Sequence, residues 1–145
     1  MNYRPLGIFN YAESYLAAAN ALGRAELSTT HPDAPIQFLT NHAIELYLKA
    51  YLHAKGISEI DLSRNPFGHQ LLNLIWEAKK RGLCPKEETY SVVRVLDQMN
   101  TQMNSRYLKP RVYRPIREEA LDRAVRDLRL TVGKSLKRMG VFVRV

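Results

Sequence analysis

Between Asp33 and Gly56 the chain carries Ile36, Phe38, Leu39, Ala43, Ile44, Leu46, Tyr47, Leu48, Ala50, Tyr51 and Leu52. Wound into a helix, these residues cover an arc too wide for a surface helix with a single buried stripe. The segment is therefore expected to be a central helix, with neighbours on several sides. Asp33 is a candidate N-cap, Pro35 fits the first turn, where its missing N–H costs nothing, and Gly56 offers a left-handed stop. Glu45 and Lys49 stand four residues apart with the acid first, the favourable order for an intrahelical pair. Drawn into the core, such a pair has to be fully satisfied or it destabilises the fold.

The rest of the chain supplies covering helices. Phe9, Leu16, Ala17, Ala19 and Leu22 recur at helical spacing and predict a first helix over about 7–25. A loop, 57–68, ends in Asn65-Pro66-Phe67-Gly68, and a third helix is expected over about 69–81, with Trp76 as a packing anchor. Pro85 is placed at the opening of a fourth helix and Pro115 at that of a fifth, each followed by two glutamates near the positive helix end. Ile116, Ala120, Leu121, Ala124, Leu128 and Val132 mark the buried stripe of the fifth, with Arg123, Arg126 and Arg129 away from its centre. The tail from Val141 to Val145 alternates weakly and reads as a strand or a disordered end. With no repeat, low-complexity tract or Gly/Ser linker, the expectation is one all-α domain over 1–145, with its core about 7–138. Its architecture is an antiparallel bundle of about five helices.

Composition narrows the function classes. Hydrophobic residues at 46% and charged residues at 25% are ordinary for a folded domain and argue against disorder. Charges such as Glu45 and Lys49 interrupt every apolar run, so no membrane span is expected. The first six residues lack the apolar core of a secretion signal. Cys84, the single cysteine, has no partner for a disulfide in the chain, and these features together predict a cytoplasmic protein. No evident base accompanies Cys84, which therefore reads as a helix-entry residue without chemistry. The net charge of +8 is unevenly spread: residues 1–100 hold 10 Lys and Arg against 10 Asp and Glu, whereas residues 101–145 hold 12 against 4. Clustered cations of this kind attract phosphates and release counterions on binding, although a long solvated helix face has the same composition.

Two groups of residues stand out chemically. Arg106, Tyr107, Lys109, Arg111, Tyr113, Arg114 and Arg117 interleave cations with aromatics, a pattern suited to phosphate contacts and base stacking. An acidic protein partner, or tyrosines serving as core anchors, would use the same residues. Among the four histidines, His42 and His53 share a helix face but lie three turns apart, roughly 16 Å, too far for one ion. Neither a metal nor a cofactor is expected, and these histidines read as interface or polar-network groups.

The ordered set of motifs resembles the HEPN superfamily. Its elements are the early Tyr11-Ala12-Glu13-Ser14-Tyr15-Leu16-Ala17-Ala18-Ala19 helix, the central His42-Ala43-Ile44-Glu45-Leu46-Tyr47-Leu48-Lys49-Ala50-Tyr51-Leu52 segment, Gly68-His69-Gln70-Leu71 at the entry to the third helix, and Ser105-Arg106-Tyr107 before the last long helix. The resemblance implies a four- or five-helix bundle that commonly dimerises. Many members are metal-independent ribonucleases in toxin–antitoxin, RNA-processing or antiviral systems, while others bind nucleotides or are inactive partners of nucleotidyltransferases. Active members carry Arg, four to six residues, then His, often with a polar residue after the Arg. Arg64-Asn65-Pro66-Phe67-Gly68-His69 fits that string. The resemblance implies His69 as general acid/base, Arg64 as phosphate clamp and Asn65 as an orienting donor. Such a pairing suits RNA cleavage, in which the ribose 2′-OH loses a proton and charge builds on phosphorus. The alternative for His69 is to cap the third helix.

The resulting expectation is a homodimeric HEPN-like module binding RNA or nucleotides through the basic last third and the Arg64–His69 region. Two alternatives stand beside it: a metal-independent, toxin-like endoribonuclease with an antitoxin partner, and a non-catalytic scaffold for a nucleotidyltransferase-like protein.

Overall fold

A computed structural model describes residues 3–103 and 116–145. Among these the order is α1 (Tyr3–Arg24), α2 (Asp33–Ala54), α3 (Glu59–Leu62), α4 (Leu71–Lys80), α5 (Glu87–Met103) and α6 (Glu118–Arg138). The fold is an all-α bundle, as expected, with six helices among the described residues instead of about five. The addition is α3, one turn inside the stretch expected to be loop. Ser58 caps it, its side chain accepting from the Asp61 amide at 3.1 Å, and Leu62 is buried beneath it. The Ser58-x-x-Asp61 spacing is a helix-start pattern, and in so short an element it is the main local signal.

Helix α2 is the centre. It packs against α1, α4 and α6, while α5 lies against α4 and α6. Ala43, Ile44, Tyr47, Leu48, Ala50, Tyr51 and Leu52 are fully enclosed, so the wide apolar arc is matched by burial around most of the circumference. Fully enclosing a Leu or Ile side chain stabilises a fold by about 1.5–3 kcal/mol, which makes α2 the largest apolar contributor among the helices. Its N-cap is Pro32 instead of Asp33, which falls in the first turn as an acidic residue favourable to the helix dipole.

One expectation is refined and two are corrected. Trp76 packs α4 against α5, but at the surface: it is partly exposed and stacks on Tyr90 of α5 at 5.6 Å, with Lys79 over both rings. Pro85 precedes α5 without opening it, because the helix begins at Glu87. The tail is neither strand nor frayed end. Gly140, at φ +84°, reverses the chain so that the Val141 amide reaches the Leu136 carbonyl at 2.9 Å. Val143 is then buried, and Val145 closes on Gly133, where an added Cβ would meet its methyl at 2.6 Å.

The arginines of α6 are largely engaged within the fold. Arg123 makes a bidentate contact with Glu88, Arg126 holds Asp122 at 3.0 Å, and Arg129 clamps Glu13 of α1 through Nε at 2.7 Å and Nη2 at 3.1 Å. Tyr47 of α2 donates to the same Glu13 carboxylate at 2.6 Å, so one group joins three helices. Burial, then the hydrogen bond to Glu13, pushes the Tyr47 hydroxyl well above the usual tyrosine range. The bond to Glu13 likewise raises Arg129.

Candidate functional site

The loop between α3 and α4 is folded tightly upon α2. The Phe67 amide bonds the Arg64 carbonyl at 2.8 Å and the Gly68 amide bonds the Leu62 carbonyl at 3.1 Å. The Asn65–Pro66 peptide is cis, and Gly68 takes φ +50°, a backbone region that favours glycine. The turn carries His69 over α2, where its Nδ1 lies 2.8 Å from Oε1 of Glu45. A carboxylate only accepts, so in this arrangement Nδ1 carries the proton and the ring is held in one tautomer, with Nε2 as its second nitrogen.

Glu45 is the buried hub. Its side chain is 8% exposed, against 78% for His69 and 14% for Lys49. Lys49 Nζ stands 3.5 Å from Oε2, one turn further along α2, and His42 Nδ1 stands 3.7 Å from the same oxygen. The His42 ring also meets Tyr15 of α1 edge-on at 4.4 Å. A deeply placed carboxylate thus faces one lysine and two imidazoles, of which only His69 is mostly open to solvent.

Beside His69 lies a cavity of about 370 Å³ walled by Ser63, Asn65, Gly68, His69, Gln70, Asp97 and Asn100, within the size range of ligand sites. Its walls are polar and knitted together. Gln70 donates to Asn65 at 3.1 Å, Asn73 to Gln70 at 2.7 Å, and Asn41 of α2 pairs with Asn100 of α5 at 3.1 Å. Asp97 accepts from the Leu72 amide at 3.2 Å and so serves an N-terminal amide of α4. The proposed capping role therefore falls to Asp97, while the His69 ring turns to Glu45.

Of the residues singled out in the sequence, Asn65 and His69 come together at this cavity. Arg64 shares their loop but is exposed, and it is not among the cavity walls. Arg117 is exposed at the N-cap of α6. Arg106, Tyr107, Lys109, Arg111, Tyr113 and Arg114 lie outside the described residues, as does Pro115. Glu45 was read only as the partner of Lys49; its bond to His69, 24 positions away, is not a local signal. His42 falls in the polar network, as expected. His53 Nδ1 pairs with the Ile57 carbonyl at 2.7 Å. No group of three or more metal-ligating side chains occurs among the described residues, and no helix of theirs is long and apolar enough to cross a membrane.

No curated protein and no solved structure gives a significant match to this chain. The HEPN domain family model matches residues 8–135, a span running from α1 through nearly all of α6 and including the Glu45–His69 pair. The motifs quoted from the sequence and the all-α bundle agree with that match, and the chain belongs to the HEPN domain family.

Proposed function

We propose that this HEPN domain binds RNA, with one nucleotide unit seated in the cavity beside His69. The observation that carries the reading is the exposed His69 ring anchored by the buried Glu45 at the edge of a pocket walled by hydrogen-bonding groups. Asn65, Gln70 and Asn100 present amides able to read base edges or sugar hydroxyls, the groups that single-stranded RNA exposes. The positive charge concentrated in residues 101–145 supplies the long-range attraction for a polyanion. Arg64, on the same loop, contacts phosphate outside the cavity. The basic, aromatic-rich stretch from Arg106 to Arg117 adds phosphate and stacking contacts. The working form is a homodimer, in keeping with the habit of the family.

A second reading, metal-independent cleavage of the bound RNA, is favoured by the carboxylate–imidazole pair. With Nδ1–H held by Glu45, Nε2 of His69 can take the proton of a ribose 2′-OH and return it to the leaving oxygen. The attacking 2′ oxygen forms the new bond to phosphorus as the 5′ oxygen departs. Arg64 would then meet the charge on phosphorus, in this subunit or across the dimer.

Both readings are tested with the purified protein, a fluorescent single-stranded RNA and EDTA. Binding that His69→Ala and Asn65→Ala each weaken at least tenfold supports the cavity as the RNA site. Cleavage that disappears in His69→Ala adds the ribonuclease activity. Tight binding unaffected by either substitution overturns the assignment of the cavity.

A further inference from the structure

A second concavity lies where the start of α5 meets α6. It measures about 480 Å³, and its rim carries Lys86, Arg126, Lys134 and Arg138. Two carboxylates also line it, but each already has its partners. Glu88 accepts from Arg123 at 2.6–3.1 Å, and Asp127 Oδ2 accepts from the Lys86 amide at 2.9 Å and the Thr89 hydroxyl at 2.6 Å. Asp127 thereby serves the N-terminal end of α5, and both its oxygens are engaged by donors of the fold. Of the rim cations Arg126 is held by Asp122 at 3.0 Å, and the other three are less committed. Among the described residues Lys86 and Lys134 have no ion pair, and the Arg138 guanidinium reaches only the Ser135 hydroxyl at 3.4 Å.

Along α6 the uncommitted cations Lys134 and Arg138 stand about one turn apart, roughly 6 Å at 1.5 Å per residue, with Lys86 on the same rim. A nucleic-acid strand in a duplex presents a phosphate about every 3.4 Å of axis, so this trio of cations suits two or three neighbouring phosphates. An acidic protein partner fits less well: lysines are depleted at the cores of protein interfaces, and Leu130 is the one sizeable apolar side chain in this wall.

We infer that the α5–α6 groove is a phosphodiester-backbone site, separate from the His69 cavity, that holds RNA flanking the nucleotide seated there. The inference rests on RNA being the ligand of the domain. Both concavities draw on α5, Thr89 lining the groove and Asp97 the cavity, and eight residues of helix separate these two by roughly 12 Å along the axis. One strand of modest length can therefore touch both.

The test is fluorescence anisotropy with an oligouridylate of about 20 nucleotides, titrated at several salt concentrations. It compares the native protein, Lys86→Gln/Lys134→Gln/Arg138→Gln, and His69→Ala. Loss of three contacts should lower the slope of log affinity against log salt by about 2 and weaken low-salt binding on the order of tenfold. Lys86→Arg/Lys134→Arg, which keeps the charge, should restore the native slope and shows that lost charge, not lost folding, is read out. A triple variant with native affinity and slope overturns the groove, and so does absence of RNA binding by the native protein at low salt. The cavity assignment fails separately: His69→Ala would then bind like the native protein while the triple variant alone is weakened.

Discussion

Glu13 and Glu45 are both carboxylates that hold another part of the chain against α2, and they are built for different ends. Glu13 receives two guanidinium N–H groups from Arg129 and the Tyr47 hydroxyl. An arginine keeps its charge at any pH a protein meets, and a hydroxyl held in this way has little reason to turn, so the group is a lock between α1, α2 and α6. Glu45 is the more deeply buried, yet two of the three cationic or basic groups around it are imidazoles, and one of them opens on a cavity. A ring that is anchored at one nitrogen can still exchange a proton or a hydrogen bond at the other. The same side chain at two places in one bundle thus serves cohesion in one and ligand handling in the other. The identity and exposure of its donors make the difference.

The comparison breaks most readily at His69. His69→Ala should weaken RNA binding at least tenfold while lowering the melting temperature only slightly, since the ring is mostly exposed and Lys49 still faces Glu45. Calorimetry beside anisotropy checks both halves. At the closed site the effects are reversed. Arg129→Ala removes a two-pronged charged contact and leaves Glu13 with the Tyr47 hydroxyl, a loss of about 2–3 kcal/mol in urea unfolding. RNA affinity should be unchanged, and a matching fall in affinity would erase the distinction between the two carboxylates. Glu45→Gln lies between them. It exchanges a charged acceptor for a neutral one, costs about 1–2 kcal/mol, and lowers RNA affinity less than His69→Ala does, because the ring remains but its tautomer is no longer fixed.

The smallest expected effect is a pH dependence of the closed site. The Tyr47 hydroxyl is raised in the folded chain, chiefly by burial and then by its bond to Glu13, and Tyr51 is raised by burial as well. A group held above its unfolded value contributes stability that is fully present below the unfolded pKa, about 10 for tyrosine. That contribution is lost as the pH climbs through the interval up to the folded value. Urea midpoints measured upward from pH 8 should therefore decline beyond about pH 10, and Tyr47→Phe should flatten the decline. An equal decline in both proteins would assign the alkaline sensitivity to other groups.

Much of the bundle is legible in the sequence because its signals are local. Gly56 and Gly82, at φ +101° and +105°, end their helices where the apolar periodicity stops. The wide arc of α2 translates directly into burial on most sides. Less legible are features set by long-range contact. Trp76 reads as a packing anchor, but that its stacking partner is Tyr90, at a partly exposed site, is no local signal. The tail reads as a strand or a disordered end until Gly133 is seen to leave room for Val145. At the candidate site, Asn65 and His69 are singled out by the resemblance to the HEPN superfamily, whose active members carry Arg, four to six residues, then His. Glu45 pairs with Lys49 by helix geometry, and nothing local announces that a loop 24 residues later brings an imidazole to its other oxygen. The neutralisation of Arg123 and Arg129 by Glu88 and Glu13 is equally remote, 35 and 116 positions apart. A count of cations in the last third therefore overstates the charge free to meet an anion.

The central claim, that RNA is received beside the His69–Glu45 pair, is tested most directly by magnetic resonance of protein labelled with ¹⁵N at histidine and titrated with single-stranded RNA. The account predicts that the His69 ring resonances shift progressively and saturate, while those of His31, exposed ahead of α2 and remote in sequence from the cavity walls, stay in place. Saturating RNA that leaves the His69 signals unmoved would contradict it.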